Sequence, residues 1–530
     1  MLSRGIQKVA TQLQDKEFSA VELCSKCVQR ARKLKVLNAY VTETHEIALQ
    51  QAKESDKRHS QGNTHGILDG VPITVKDNFC TQNIRTTCAS NMLKNYIPPY
   101  TATVVQRMLD QGALLIGKTN LDEFAMGSGS IDSTHGPVRN PWKYPYQASA
   151  VTSGTDNDTP ISSHVRQSES HVTEPAESEW FVAGGSSGGS AVAVATGSAF
   201  AAFGSDTGGS VRNPASYCGV VGLKPTYGLC SRHGLIPLVN SLDVPGVFGR
   251  YVDDVAIVLG AIGGHDVFDS TTVNDPFTAE ILPDHISVKD LHIGIPKEYY
   301  APSLSSEVFQ AWQKAADIFD NAGAKVTEVS LPHTQYSIVC YSVLCATEVA
   351  SNMARYDGIE FGHRANENRY LEALFSKTRH EGFNDVVRGR ILAGNYFLLK
   401  GKYEKYYIQA QKVRRLISDD FKKVFDSGVN ILLTPTTISE APSYTDFASV
   451  DHRKQSEQQD VLTQPVNLAG LPAVNVPACL SSTGLPVGLQ FIAPMFQDRH
   501  MLTVAKWFEQ QVNFPISDLC CQIDRDVPDS

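Results

Sequence analysis

Short apolar runs alternate along this chain with stretches whose apolar residues recur every three or four positions. These are the patterns of buried strands and amphipathic helices. Val71–Val75 reads as a strand that delivers Lys76 at its end. Thr103–Gln111 reads as a helix with Val104, Val105, Met108 and Leu109 on one face and Gly112 placed to stop it. Leu114–Gly117 is the next strand. Leu291–Ile295 and Val326–Leu331 predict strands on either side of a helix over Ser305–Ala322, ended by Gly323. A long helix follows near Lys402–Phe425, and Ala473–Ile492 reads as two strands joined across Ser481-Ser482-Thr483-Gly484. This alternation predicts an α/β fold with a large mixed, mostly parallel sheet covered by helices on both faces.

The pattern breaks once. Tyr144–Glu179 is rich in Ser, Thr, Asp, Glu and Pro and holds no Leu or Phe. Such a segment buries too little apolar surface to offset its ordering entropy, so it reads as a disordered insertion within one domain spanning residues 1–530. Residues 1–33 are basic and amphipathic without an apolar signal core. Asp15, Glu17 and Glu22 interrupt them, and they read as the first helices of the fold. Cys24 and Cys27 form a C-x-x-C, but no second pair or histidine cluster completes a zinc site. They fall on the apolar face with Ala20, Val21 and Val28, as core cysteines do. No internal repeat is visible.

Composition narrows the function classes. A hydrophobic content of 42% with 19% charged residues describes a globular protein. The net charge of -9 argues against a chain that grips RNA or DNA by itself. No apolar run reaches the length of a membrane span. The eleven scattered cysteines suit a reducing compartment.

The chemistry concentrates in two glycine-serine knots, Gly184-Gly185-Ser186-Ser187-Gly188-Gly189-Ser190 and Asp206-Thr207-Gly208-Gly209-Ser210-Val211-Arg212. A flexible linker is polar throughout. The stretch between these knots, Ala191–Phe203, is apolar and small and reads as a buried helix. Glycine lets backbone approach a ligand closely, and serines in such turns present hydroxyls beside bare N–H groups. Acyl transfer needs that combination. Ser210 is the candidate nucleophile, and the consecutive amides of Thr207, Gly208, Gly209 and Ser210 are the candidate oxyanion hole. No histidine lies near either knot apart from His164 and His171 inside the insertion. Lys76, followed by Asp77-Asn78 at the end of an apolar strand, can serve as base if burial keeps it neutral. A rival reading takes Gly185-Ser186-Ser187-Gly188-Gly189 as a G-x-S-x-G nucleophile elbow with Ser187 as nucleophile and His500 as its base. It leaves Lys76 and the second knot unused. A phosphate-binding loop fails because neither knot ends in Gly-Lys-Ser/Thr.

Three long motifs give the chain a family resemblance: Asp69-Gly70-Val71-Pro72-Ile73-Thr74-Val75-Lys76-Asp77, the paired knots, and Cys218-Gly219-Val220-Val221-Gly222-Leu223-Lys224-Pro225-Thr226. They resemble the amidase signature family over nearly the whole chain outside the insertion. The resemblance implies that fold and a Ser–Ser–Lys triad, with Lys76 as base, Ser186 as a relaying cis-serine and Ser210 as acyl-forming nucleophile. Ser187 and Ser190 then shape the turn and Arg212 braces the second knot. Within the family the chain looks most like the glutamine-hydrolysing subunit of a tRNA-dependent amidotransferase, in its mitochondrial form. Runs such as Ala354-Arg355-Tyr356-Asp357-Gly358, Glu381-Gly382-Phe383 and Pro465-Val466-Asn467-Leu468-Ala469-Gly470-Leu471-Pro472 carry this likeness. The insertion departs from the compact bacterial pattern. By the same resemblance Tyr341, Arg390 and Asp460 bind free glutamine, the guanidinium on the α-carboxylate and the carboxylate on the α-ammonium. No metal or cofactor is then held by this chain. ATP and magnesium are used by a partner in a heterotrimer with subunits B and C, which also holds most of the Glu-tRNA(Gln), in the mitochondrial matrix and away from membrane. The alternatives are a free-standing amidase of another carboxamide and a catalytically silent scaffold.

Overall fold

A computed structural model describes residues 1–146, 179–274, 281–367 and 369–527. Eleven strands form one sheet: β1 (Tyr40–Glu43), β2 (Pro72–Lys76), β3 (Leu114–Thr119), β4 (Ala201–Asp206), β5 (Val221–Lys224), β6 (Val244–Gly249), β7 (His292–Pro296), β8 (Lys325–Val329), β9 (Ile431–Pro435), β10 (Ala473–Leu480) and β11 (Pro486–Ile492). Their spatial order is β1-β3-β2-β4-β6-β5-β10-β11-β9-β7-β8. Helices surround the sheet, as the alternation predicts. Ser305 caps the helix Ser306–Asn321 by accepting from the Val308 amide, and the long helix runs over Tyr403–Asp426.

The sheet is mixed, but the expectation of mostly parallel pairing needs correcting. β2 runs parallel to β3 and β4, and β7 to β8 and β9. The other pairs are antiparallel, because β6 inserts between β4 and β5 and the β10–β11 hairpin bridges the two parallel groups. A second correction concerns Ala191–Phe203. The helix there spans Gly188–Ala195 only, and Ala201–Asp206 is strand β4. Small residues at every position of that helix let it pack directly on β4 and β2, fully buried. An apolar run can be buried as either element, so its period alone could not separate them.

Residues 147–178 of the segment read as a disordered insertion lie outside the described residues. Its first residues belong to the packed protein: Tyr144 and Tyr146 are buried with ring centroids 5.1 Å apart, and the Tyr146 hydroxyl donates to the Pro141 carbonyl at 3.0 Å. Cys24 and Cys27 lie buried on the helix Ala20–Lys33, and all eleven cysteines are free.

The topology positions the chemistry. β2 and β4 are parallel neighbours with Val75 opposite Phe203, so their carboxyl ends emerge side by side. β2 ends in Lys76 and β4 in Asp206, the first residue of the second knot. The ends of adjacent parallel strands are where an open α/β sheet places its ligands.

Candidate active site

Lys76 is fully buried, and its amine is surrounded by hydroxyls. Nζ lies 2.8 Å from Ser186 Oγ, 2.8 Å from Ser187 Oγ and 3.0 Å from Ser205 Oγ. Ser205 is the penultimate residue of β4, so strand register delivers it to Lys76, and Asn78 Nδ2 donates to the same hydroxyl at 2.9 Å. The Gly185–Ser186 peptide is cis. Burial pulls the Lys76 amine down to about 7, although the Asp122, Asp206 and Asp243 carboxylates oppose that shift. An amine near 7 is neutral often enough to accept a proton at physiological pH.

The second knot is held open by an ion pair between its own two ends and by groups beyond it. Asp206 accepts the Val211 amide at 3.1 Å and takes a two-pronged contact from Arg212, Nε at 3.1 Å and Nη2 at 3.0 Å. Burial alone would raise Asp206, but the Arg212 charge and hydrogen bond hold it at about 2. Arg212 also reaches the Thr463 carbonyl, Gln490 and Asn467, so it acts as the brace. Thr207 Oγ1 donates to Asp243 at 2.7 Å. Asp243 in turn accepts the Leu238 and Val239 amides. Among the described residues, the amides of Gly208, Gly209 and Ser210 donate to no protein acceptor, leaving three donors in a row. Ser210 is 9% exposed, whereas Lys76, Ser186 and Ser187 are fully covered. Its carbonyl accepts the Ser187 amide at 3.2 Å, which joins the two knots. The structure therefore joins Lys76 to Ser186, while Ser210 Oγ makes no hydrogen bond among the described residues. Contacts of this kind are often loose until substrate is bound.

The elbow reading finds no support here. Ser187 Oγ faces Lys76 and the Ser205 carbonyl, and among the described residues no histidine reaches it. His500 lies on the helix Asp498–Val512 with no hydrogen bond to either knot among the described residues. Ser190 is occupied by Thr119 and the Phe203 carbonyl.

Tyr341 and Asp460, far apart in the chain, converge on the second knot, and Arg390 interacts electrostatically with both. A Cβ on Gly208 would lie 2.9 Å from the Tyr341 ring. One on Gly209 would lie 2.3 Å from Thr463 Oγ1 and 3.0 Å from Asp460 Oδ1. Only glycine tolerates this approach, and Gly209 also has φ 148°. Tyr341 and Cys345 lie one turn apart on the helix Ser337–Met353, and Arg390 Nη1 contacts Cys345 Sγ at 3.5 Å. Asp460 Oδ1 is buried with no hydrogen-bond partner. Burial, then the neighbouring Asp206 charge, holds this carboxyl well above the ordinary carboxylate range. A buried carboxyl oxygen kept without a hydrogen-bond partner against the turn that carries Ser210 suits a ligand that brings its own cation. Sequence reading missed Ser205, Asp243 and Thr463, whose roles depend on contacts across 36 to 255 residues.

The chain matches the family described as Amidase over residues 22–155 and 159–502. It is 60% identical over 519 residues to the A subunit of mitochondrial glutamyl-tRNA(Gln) amidotransferase from Bos taurus, covering 98% of this chain and 96% of that one. It is 59% identical over 520 residues to the corresponding protein of Homo sapiens, covering 98% of this chain and 96% of that one. The crystal structure of the A subunit of glutamyl-tRNA(Gln) amidotransferase from Thermotoga maritima is similar at TM-score 0.72 and 33% identity, covering 96% of this chain and 95% of that one. A crystal structure described as an amidase is similar at TM-score 0.76 and 28% identity, covering 96% of this chain and 100% of that one.

Proposed function

This chain belongs to the amidase family, and from that premise we propose that it is the glutamine-hydrolysing subunit of a glutamyl-tRNA(Gln) amidotransferase. The observation that carries the substrate is the partnerless Oδ1 of Asp460, which with Tyr341 abuts the Gly208-Gly209 turn beside Ser210, while the Arg390 charge acts on both. A free amino acid offers an α-ammonium for the first and an α-carboxylate for Arg390. Its side-chain amide then points to the knot.

In the proposed mechanism neutral Lys76 takes a proton from Ser186, and Ser186 takes one from Ser210. Ser210 Oγ adds to the amide carbon, and the amides of Thr207, Gly208, Gly209 and Ser210 receive the developing oxyanion. The proton returns along the same path to the leaving nitrogen, ammonia departs and a glutamyl ester remains on Ser210. Water, deprotonated by the same relay, hydrolyses the ester to glutamate. The ammonia passes to the partner subunits B and C. There ATP and magnesium activate Glu-tRNA(Gln) for conversion to Gln-tRNA(Gln). This chain holds no metal or cofactor of its own in that scheme. Relatives named as mitochondrial support a mitochondrial location, and the matrix is where such a reaction would serve translation.

The test uses Ser210→Ala in the assembled enzyme. Glutamine-dependent amidation should be lost, while ammonium salt should still support amidation of Glu-tRNA(Gln). Loss of both activities with the complex intact would sink the proposal. A glutamyl ester trapped on Ser187 would move the nucleophile.

A further inference from the structure

Two adjacent acidic residues, Asp122 and Glu123, face opposite parts of the site. Asp122 is buried on the side of the first knot. Its carboxylate accepts the amides of Ser130 at 2.9 Å, Ile131 at 3.0 Å and Asp132 at 3.2 Å. Ser130 Oγ in turn accepts the Gly188 amide at 2.9 Å, two residues after Ser186. The loop presses so closely on the knot that a Cβ on Gly185 would meet Asp122 Oδ2 at 2.3 Å.

Glu123 is buried on the other side. Its Oε2 accepts the backbone amide of Asn384 at 2.8 Å, and its Oε1 is hydrogen-bonded to Ser90, whose hydroxyl also lies 3.0 Å from the Gly382 carbonyl. Asn384 is the N-cap of the helix Asp385–Leu398, and its own side chain accepts the Val387 amide. That helix carries Arg390. A carboxylate at a helix N-terminus meets both free amides and the positive end of the helix dipole. Arg390 stands six residues along, about 9 Å at the α-helical rise. Phe124 packs against Tyr356 and Phe383 at 5.2 and 5.7 Å, and these two rings meet each other at 6.0 Å, so the joint is backed by a closed aromatic cluster.

We infer that Glu123 is a positioning residue for glutamine: it fixes the start of the Arg390 helix to the loop that supports the cis-serine knot. The Asp122-Glu123 step then sets the distance between the guanidinium that holds the substrate and the cis-serine knot that relays its proton. This rests on the reading of Arg390 given under Proposed function.

Glutamine binding without turnover separates the two ideas. Titration calorimetry would use the assembled enzyme carrying Ser210→Ala, with and without Glu123→Gln. The new side-chain amide can still accept from Ser90, but its NH2 can turn toward Asn384, which offers only another donor. Loss of that acceptor, replaced by a donor, should weaken glutamine binding by about five- to twenty-fold. In the active enzyme, E123Q should raise the glutamine KM by a similar factor, with kcat within about two-fold and ammonium-dependent amidation unchanged. In an Arg390→Lys background E123Q should add less than about two-fold, because both changes act on the same contact. A purely structural lesion would instead add its full effect. Unaltered glutamine affinity in E123Q, or full additivity with R390K, overturns the inference. A Ser210→Ala parent that binds no glutamine overturns the glutaminase reading and this inference with it. If E123Q does not fold, Ser90→Ala, which frees one carboxylate oxygen and leaves the Asn384 contact, carries the test. It should shift the glutamine KM by about two- to four-fold without changing kcat, and an unchanged KM overturns the inference.

Discussion

Lys76 and Lys224 lie in two regions of one sheet and share one electrostatic fate. Each ends a strand, β2 and β5, and each is fully buried. Burial pulls both amines down to about 7. Their partners differ. Lys224 donates to the carbonyls of Pro225, at 2.9 Å, and Leu471. Lys76 faces the hydroxyls of Ser186, Ser187 and Ser205. A carbonyl oxygen can only accept, whereas a hydroxyl can turn from acceptor to donor. A neutral amine at Lys76 can therefore receive a proton from Ser186. At Lys224 the same amine is useful only through its N–H groups. Depressed basicity marks both sites, and partner chemistry separates the proposed base from a tie.

The largest effect should come from breaking this difference at Lys76. Lys76→Ala removes the relay's base, so glutamine-dependent kcat should fall by about 10²–10⁴-fold, the usual contribution of general-base catalysis. The pH dependence sharpens the same point. Protonated Lys76 cannot accept from Ser186, so the proposed relay requires the neutral form. With the amine at about 7, kcat/KM should fall roughly ten-fold per unit as pH drops below that value and level off above it. The residual activity of Lys76→Ala should lack this limb. A full-strength limb in the variant would assign the titration to another group.

A smaller effect belongs to the substrate end. Arg390→Lys keeps the charge but loses the planar fork. The glutamine KM should rise about ten- to hundred-fold, the worth of a charged hydrogen bond. Ammonium-dependent amidation should hardly change. A normal KM would remove the main residue-level reason for choosing glutamine over other carboxamides.

Much of this contrast was legible in the sequence, and the reason is local. The Val71–Val75 run fixes a strand end at Lys76, and the knots show themselves as unbroken strings of Gly and Ser. Gly208 and Gly209 could be read as turn residues, but not as seats for Tyr341 and Asp460, which arrive from far along the chain. Lys224 was visible only as part of a matching motif. Its carbonyl partner at Leu471 is 247 residues distant, so no spacing rule could tell it from Lys76. The parallel arrangement was overestimated for a similar reason. β6 follows β5 in sequence but pairs with both β4 and β5, and a strand's direction in a sheet depends on partners that local periodicity does not name. Glu123 carries no sequence signal of its own, because its meaning rests on an amide 261 residues away.

The smallest expected effect on catalysis is at Lys224, and it closes the comparison. Lys224→Met keeps similar volume and removes the amine, leaving the buried carbonyls of Pro225 and Leu471 without their donor. Unsatisfied buried acceptors cost about 1–3 kcal/mol each, so thermal stability should drop measurably. Lys224 does not touch the serines, and kcat of the folded enzyme should stay within about two-fold. Lys76→Met should do the reverse. It removes an amine that burial disfavours in its charged form, and the hydroxyls around it can rotate toward other acceptors, such as the Ser205 carbonyl that Ser187 already reaches at 3.4 Å. Its stability should match or exceed that of the parent, with kcat lost by the factor given for Lys76→Ala. Melting curves and kcat measured on both variants would test the pairing. A stable Lys224→Met with lost catalysis, or an unstable Lys76→Met, would show that buried lysines in this sheet are not divided by the chemistry of their partners.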